Sequence, residues 1–332
     1  MIASGRIMGR VSLAVALIAW TGLVGVSAAL AQKYPEREVR IINPYAPGGS
    51  ADITGRLLAQ KLAEIIGGQF IVENRAGAGG SIGAEAVAKA SPDGHTLLYS
   101  AAGPLGVNHK LFSRAPAYEP ATDFTPIAVV VKTPLVLAAT PKLPAKNVKE
   151  LIELARKEPG KVNFGSAGIG SAPHLTGEMF KSMAKIDIAH VPYKGTGPAM
   201  ADLVGGHIQI MFDLLPASIQ QIKTGTIKAL ASAGAKRATA LPEVPTVSEQ
   251  GLTGFDTSTW FALVAPANTP KPILARLRSA AAQALKSDDV VKRFAELGSE
   301  PGTADEKEAR VFIKTEVDKW TEVVRISGAK VD

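Results

Sequence analysis

Two glycine-rich turns, about 120 residues apart, constrain this chain more than any other feature. The first, Pro44-Tyr45-Ala46-Pro47-Gly48-Gly49-Ser50-Ala51-Asp52, follows the apolar run Val39, Ile41, Ile42 and precedes Ile53, Leu57, Leu62 and Ile65 at helical spacing. The second, Gly165-Ser166-Ala167-Gly168-Ile169-Gly170-Ser171, follows Val162 and Phe164 and precedes Leu175, Met179 and Met183. A strand that turns through glycines into a helix is the repeating unit of an α/β fold. It also leaves the first N–H groups of the helix unpaired at the positive end of the dipole, so each turn is a candidate anion cradle. Two cradles facing one another would grip a small anion.

Short apolar runs alternate with amphipathic segments from Arg37 to about Lys236, the pattern of an α/β protein with mostly parallel sheets. Strands are expected at 39–43, 70–73, 96–100, 127–131, 135–139, 162–165, 208–212 and 227–232. Helices are expected at 53–66, 81–90, 148–158, 172–185, 198–204, 272–285, 290–297 and 304–326. Two proline-flanked segments, Asp123 to Pro134 and Thr253 to Pro266, read as passages between domains. If the chain leaves one domain at the first and returns at the second, domain 1 is 32–132 plus 257–332 and domain 2 is 133–256, each owning one glycine turn. Two crossings make a hinge suited to closure around a ligand. Two domains joined by a single linker are the alternative, against which stands the absence of a long Gly/Ser or charged linker.

Arg6 and Arg10, the apolar stretch Val11 to Val26 and Ala29-Leu30-Ala31 have the order of a secretory leader, with cleavage expected after Ala31. The formal charge of +7 would then fall to +5, since the leader carries those two arginines and no acidic residue. The chain contains no cysteine, which excludes disulfides, thiol nucleophiles and thiolate metal sites. No basic run is interleaved with stacking aromatics, so nucleic acid is a poor partner.

Candidate ligand-binding residues in the first turn are Tyr45, Pro47, Gly48, Gly49, Ser50 and Asp52; Ser50 is placed to cap the helix, and Asp52 fits either a ligand contact or a loop organiser. The second turn contributes Ser166, Ala167, Gly168, Gly170 and Ser171, with His174 one turn into the helix. Tyr193, Lys194 and Gly195 form a third loop entering a helix, where Lys194 is either a counter-ion or a solvated lysine. Asp213, at the end of a strand, suits a ligand amine or hydroxyl, or anchors the next loop.

Rival chemistries have weaker support. Gly77-Ala78-Gly79-Gly80-Ser81-Ile82-Gly83 mimics a dinucleotide fingerprint, but its glycine spacing is wrong and no acidic residue closes the following strand. No Walker lysine accompanies any glycine turn. The five histidines form no H-x-H or H-E-x-x-H pair, and neither Ser50 nor Ser166 lies in a G-x-S-x-G elbow, so no metal, cofactor or catalytic residue is expected.

The chain resembles the extracytoplasmic solute receptors of tripartite tricarboxylate transporters, the Bug receptors. The resemblance rests on Ala46-Pro47-Gly48-Gly49 with Asp52 and Arg56, on Val72-Glu73-Asn74-Arg75 with Gly77 to Gly83, and on Asp123-Phe124-Thr125-Pro126-Ile127. It continues through Gly165 to Gly168 with His174-Leu175, His190-Val191-Pro192-Tyr193-Lys194-Gly195, Leu241 to Thr246, and Trp260 leading into Ala265 to Pro270. Residues 113–120 depart from the family's wording. The resemblance implies a two-lobed periplasmic binding protein of type II, with a ligand cleft between the lobes. It also implies a periplasmic receptor that takes a small organic acid and passes it to the permease subunits of the transporter; a monomer is expected. A subunit feeding a sensor kinase, or more remotely a secreted enzyme, is the alternative.

Overall fold

The computed structural model describes residues 34–327, so the expected leader lies outside the described residues. Strands β1 (Val39–Asn43), β2 (Phe70–Asn74) and β3 (Thr96–Ser100) run parallel in the order β2-β1-β3. The apolar residues of β1 and β3 are buried, as expected of parallel strands covered on both faces, whereas the edge strand β2 buries Phe70 and leaves Ile71 exposed. Helix α1 (Ser50–Ile66) leaves the first glycine turn and buries Ala51, Leu58, Ala59 and Leu62; α2 (Ser81–Ala88) follows the Gly77–Gly80 loop. Two short helices, α3 (Asn108–Leu111) and α4 (Pro120–Asp123), lead to the longest strand.

That strand, β4 (Phe124–Ala139), was expected as two. It runs on unbroken: its register against the partner strand shifts beside Pro126, which lacks an N–H, and again between Val129 and Val131, while Pro134 stays in register opposite Ser258. Phe124 to Pro134 pair antiparallel with β9 (Ser258–Pro266), whereas Leu135 to Ala139 pair with β7 (Ile210–Leu214) and β8 (Lys228–Ser232). One strand therefore belongs to both halves of the structure. In the second half, β7, β5 (Asn163–Ser166) and β6 (Ala189–Pro192) are parallel, with helices α5 (Val148–Lys157), α6 (Ala172–Ala184), α7 (Thr196–Gly205) and α8 (Leu215–Lys223) between the strands. The chain returns where the Thr257 N–H donates to the Ala233 carbonyl (2.8 Å) and the Ala233 N–H to the Leu135 carbonyl (2.9 Å). After β9 come α9 (Lys271–Lys286), α10 (Asp288–Glu296), β10 (Glu300–Thr303) and α11 (Glu306–Ser327).

The whole sheet has the order β2-β1-β3-β9-β4-β7-β5-β6, with β8 and β10 also against β4. It is mixed, which corrects the expectation of mostly parallel pairing: every pairing made by β4 or β9 is antiparallel. Apolar packing is continuous through both halves. Tyr99 stacks on Phe261 in the first (5.4 Å between centroids), and Phe180, Phe212 and Phe255 cluster in the second. No helix among the described residues is long and apolar enough to cross a membrane.

Candidate functional site

Both glycine turns lie where the two halves meet. The first turn meets the third loop: the Ala46 N–H donates to the Lys194 carbonyl at 2.8 Å, and Gly197 approaches Pro47 so closely that a Cβ there would stand 2.5 Å from the Pro47 oxygen. The second turn meets the Gly77–Gly80 loop. Gly79, at φ +58°, would place a Cβ 2.0 Å from the Ile169 oxygen. The motif that mimicked a dinucleotide fingerprint thus serves as a close backbone contact between the halves.

Between these contacts lies a small cavity of about 30 Å³. Three helices begin on it: α1 through Gly49, Ser50 and Ala51, α6 through Ala172, and α7 through Thr196. Ala167 of the second turn completes the set. Among the described residues, the N–H groups of these six donate to no protein acceptor. The remaining wall comprises Tyr45, Ala101, Ser171, Pro173, Leu214 and Phe261, with no ionised side chain. Donors fixed in apolar surroundings attract an anion far more strongly than the same donors in water, and each helix terminus adds roughly 0.3–2 kcal/mol.

Of the sequence candidates, Tyr45, Gly49, Ser50, Ala167 and Ser171 line this cavity; Pro47, Gly48, Asp52, Ser166, Gly168, Gly170, His174, Tyr193, Lys194, Gly195 and Asp213 do not. Several of the latter build the turns instead. Asp52 accepts from the Gly48 N–H (3.1 Å), from Asn74 Nδ2 (3.0 Å) and from Arg56 Nε (3.1 Å), tying the first turn to the end of β2. Burial would raise its pKa, but these hydrogen bonds outweigh it and hold the carboxyl below its usual range. The cap of α1 is Gly49, not Ser50 as expected. The Ser50 hydroxyl bridges the halves, donating to the Leu214 carbonyl (3.2 Å) and accepting from the Ala217 N–H (3.0 Å).

The second turn is supported from behind. Ser166 Oγ accepts the Gly168 N–H (3.1 Å) and lies 2.7 Å from His190 Nε2, while His174 Nδ1 accepts the Gly170 N–H (3.2 Å). Ser171 caps α6 by accepting the His174 N–H, and its hydroxyl donates to the Gly168 carbonyl (2.6 Å). The Tyr193 hydroxyl is committed to Asp202 at 2.5 Å, and the Lys194 side chain is exposed while its carbonyl makes the contact with Ala46. Asp213 is buried within β7 rather than ending it. Ala51, Ala172, Pro173, Thr196, Ala101, Leu214 and Phe261 were not anticipated; the helix starts implied by the two turns and the third loop were the available signal for the first four.

His174, Glu178 and His190 bring three potential metal-ligand atoms within 4.8 Å of one another, a grouping that sequence spacing did not suggest. The hydrogen bonding argues against a metal: with the Gly170 N–H on Nδ1, neutral His174 carries its own proton on Nε2 and has no lone pair left to offer. Burial lowers the pKa of His174 to about 4; burial, with lesser contributions from His174 and Lys181, lowers that of His190 to about 3. In the unfolded chain both titrate near 6.5. Below that pH the unfolded chain binds more protons, so stability is full above 6.5 and declines as pH falls towards 4 and 3. His174 alone should cost about 2 kcal/mol between pH 7 and pH 5. Urea denaturation at the two pH values checks this, and His174→Gln should shrink the difference by that amount.

The family model described as "Tripartite tricarboxylate transporter family receptor" matches residues 54–328. Protein BugT of Bordetella pertussis is 40% identical over 309 residues, covering 92% of this chain and 94% of its own. A structure from R. palustris, solved with adipate, superposes with a TM-score of 0.87 at 37% identity, covering 90% of this chain and 100% of that one. The periplasmic binding protein BugD superposes with a TM-score of 0.86 at 37% identity, covering 90% of this chain and 99% of that one. This chain belongs to the tripartite tricarboxylate transporter receptor family and has the α/β fold of its periplasmic binding proteins.

Proposed function

We propose that this protein captures a small organic carboxylate between two lobes, 32–132 plus 257–332 and 133–256, and delivers it to the permease of a tripartite tricarboxylate transporter. Removal of residues 1–31 releases it as a periplasmic monomer. The observation that carries this reading is the convergence of three helix starts and the second turn on one cavity without an ionised side chain, six of whose wall residues have a backbone N–H with no protein acceptor. Such a site recognises the oxygens of a carboxylate whatever is attached to them. The cavity holds little more than a pair of water molecules at about 30 Å³. Entry of an acid therefore requires the halves to part, with β4 and the return beside Ala233 and Thr257 as the two crossings that flex.

Adipate, the molecule solved with the R. palustris relative, is a dicarboxylate, which favours the same ligand class here. Thermal unfolding of the mature protein against mono-, di- and tricarboxylates, amino acids and aromatic acids tests the proposal. A ligand at a hundredfold excess over its Kd should add about 2.7 kcal/mol and raise the melting temperature by several degrees. No stabilisation by any acid, with turnover of an ester or amide, would point to an enzyme instead.

A further inference from the structure

We infer that His174 and His190 are positioning residues for the ligand: as uncharged hydrogen-bond acceptors they fix the second turn in the shape that leaves the Ala167 amide without a protein partner at the cavity wall. The inference rests on the carboxylate-capture reading above and adds the groups that prepare one of its donors.

The second turn is soft at two points. Gly168 and Gly170 have φ +115° and +82°, and glycines exchange readily among conformations unless something outside the backbone selects one. Side chains outside the cavity wall make the selection: Ser166 Oγ takes the Gly168 N–H (3.1 Å), and His174 Nδ1 takes the Gly170 N–H (3.2 Å). Ala167, beside the first of these anchors, is in the wall, and its own N–H donates to no protein acceptor. Loss of either anchor would free a glycine amide to compete for the ligand and leave Ala167 without a fixed place.

Each anchor depends on a lone pair. His174 Nδ1 has one only while the ring is neutral and carries its proton on Nε2. Ser166 Oγ lies 2.7 Å from His190 Nε2, and its hydroxyl, in a fully buried residue, has a proton of its own to place. That proton goes to His190 Nε2, which puts the ring proton of His190 on Nδ1; the other tautomer would leave a buried hydroxyl hydrogen unmatched. The surroundings keep both rings uncharged. They lie 4.3 Å apart, Phe164 stacks on His190 at 4.8 Å, and burial lowers the pKa of each. Because Ser166 is outside the cavity wall, this Ser–His pair steadies the turn and does not serve as a nucleophile.

Calorimetric titration of the mature protein with adipate, or with malate if adipate does not bind, tests this on two pairs of variants, with ligand-free melting alongside. His174→Asn and His190→Gln each keep a carbonyl oxygen near the place of the accepting nitrogen. His174→Leu and His190→Leu keep bulk without an acceptor. The amide variants should bind within about threefold of wild type and the leucine variants about five- to tenfold more weakly, although the apolar leucines should melt no lower than the amides. A role in packing alone predicts the reverse order of affinity. Ring ¹⁵N spectra of the wild type should show the proton on Nε2 in His174 and on Nδ1 in His190, a result that holds even if a variant fails to fold. The opposite tautomers, or leucine variants that bind as tightly as the amide variants, would overturn the inference while leaving carboxylate capture standing. No binding of adipate or malate by the wild type would remove capture of these diacids, and the inference with it.

Discussion

Replacing Gly197 with alanine should weaken binding of the captured acid ten- to a hundredfold while leaving the ligand-free protein as stable as before. Gly197 is the second residue of α7, where alanine is the better helix former, so its own half gains rather than loses. The obstruction comes from the other half: the added Cβ would stand 2.5 Å from the Pro47 carbonyl oxygen, a backbone atom that cannot swing aside. Separating the two loops enough to relieve that contact costs about 1–3 kcal/mol, the usual range for overpacking. Because the neighbouring Thr196 amide moves with Gly197, the cost falls on closure around the ligand. Isothermal titration together with ligand-free melting measures both quantities. An unchanged Kd would mean that the ligand does not require these loops to meet.

The second large effect is expected at Ala172. This residue opens α6, its N–H is one of the six unpaired donors, and Ser171 before it is extended at ψ 155°, the conformation that a following proline requires. Proline is favoured at the first position of a helix. Ala172→Pro should therefore fold normally and melt within a degree or two of wild type. It deletes one hydrogen bond to a charged oxygen, worth about 1.5–3 kcal/mol, and affinity should drop by about ten- to 150-fold. A side-chain substitution at the same place, Ala172→Ser, keeps the N–H and should have much the smaller effect. Equal losses in the two variants would show that the amide is not the recognising group.

Much of this arrangement is legible in the sequence, and the limits of legibility have physical causes. The strand, turn and helix around each glycine cluster follow from local pattern, as do most helices to within a few residues. The passage between halves at Lys132-Thr133-Pro134 is visible in its prolines, although the strand runs through it unbroken. Strand β10, Glu-Pro-Gly-Thr, carries no strand signal at all and exists because β4 offers it a ladder. Strand β9 is obscured by its position in a segment that reads as a connection.

The site is harder to read for a related reason. The glycines that announce the turns are mostly not its donors: the amides of Gly48, Gly168 and Gly170 are taken by Asp52, Ser166 and His174. The free donors belong to residues such as Ala51, Ala172 and Thr196, whose side chains say nothing about recognition. Which amide stays free is decided by hydrogen bonds around it, and Phe261 and Leu214 reach the cavity only through tertiary packing.

The most direct measurement is a titration of uniformly ¹⁵N-labelled mature protein with whichever acid stabilises it most, followed amide by amide. The largest shifts should fall on the N–H groups of Gly49, Ser50, Ala51, Ala167, Ala172 and Thr196, moving together with a single affinity. Shifts that leave those six unmoved and gather elsewhere, for instance around the larger surface cavity lined by Leu105, His109 and Arg310, would contradict capture by converging helix starts.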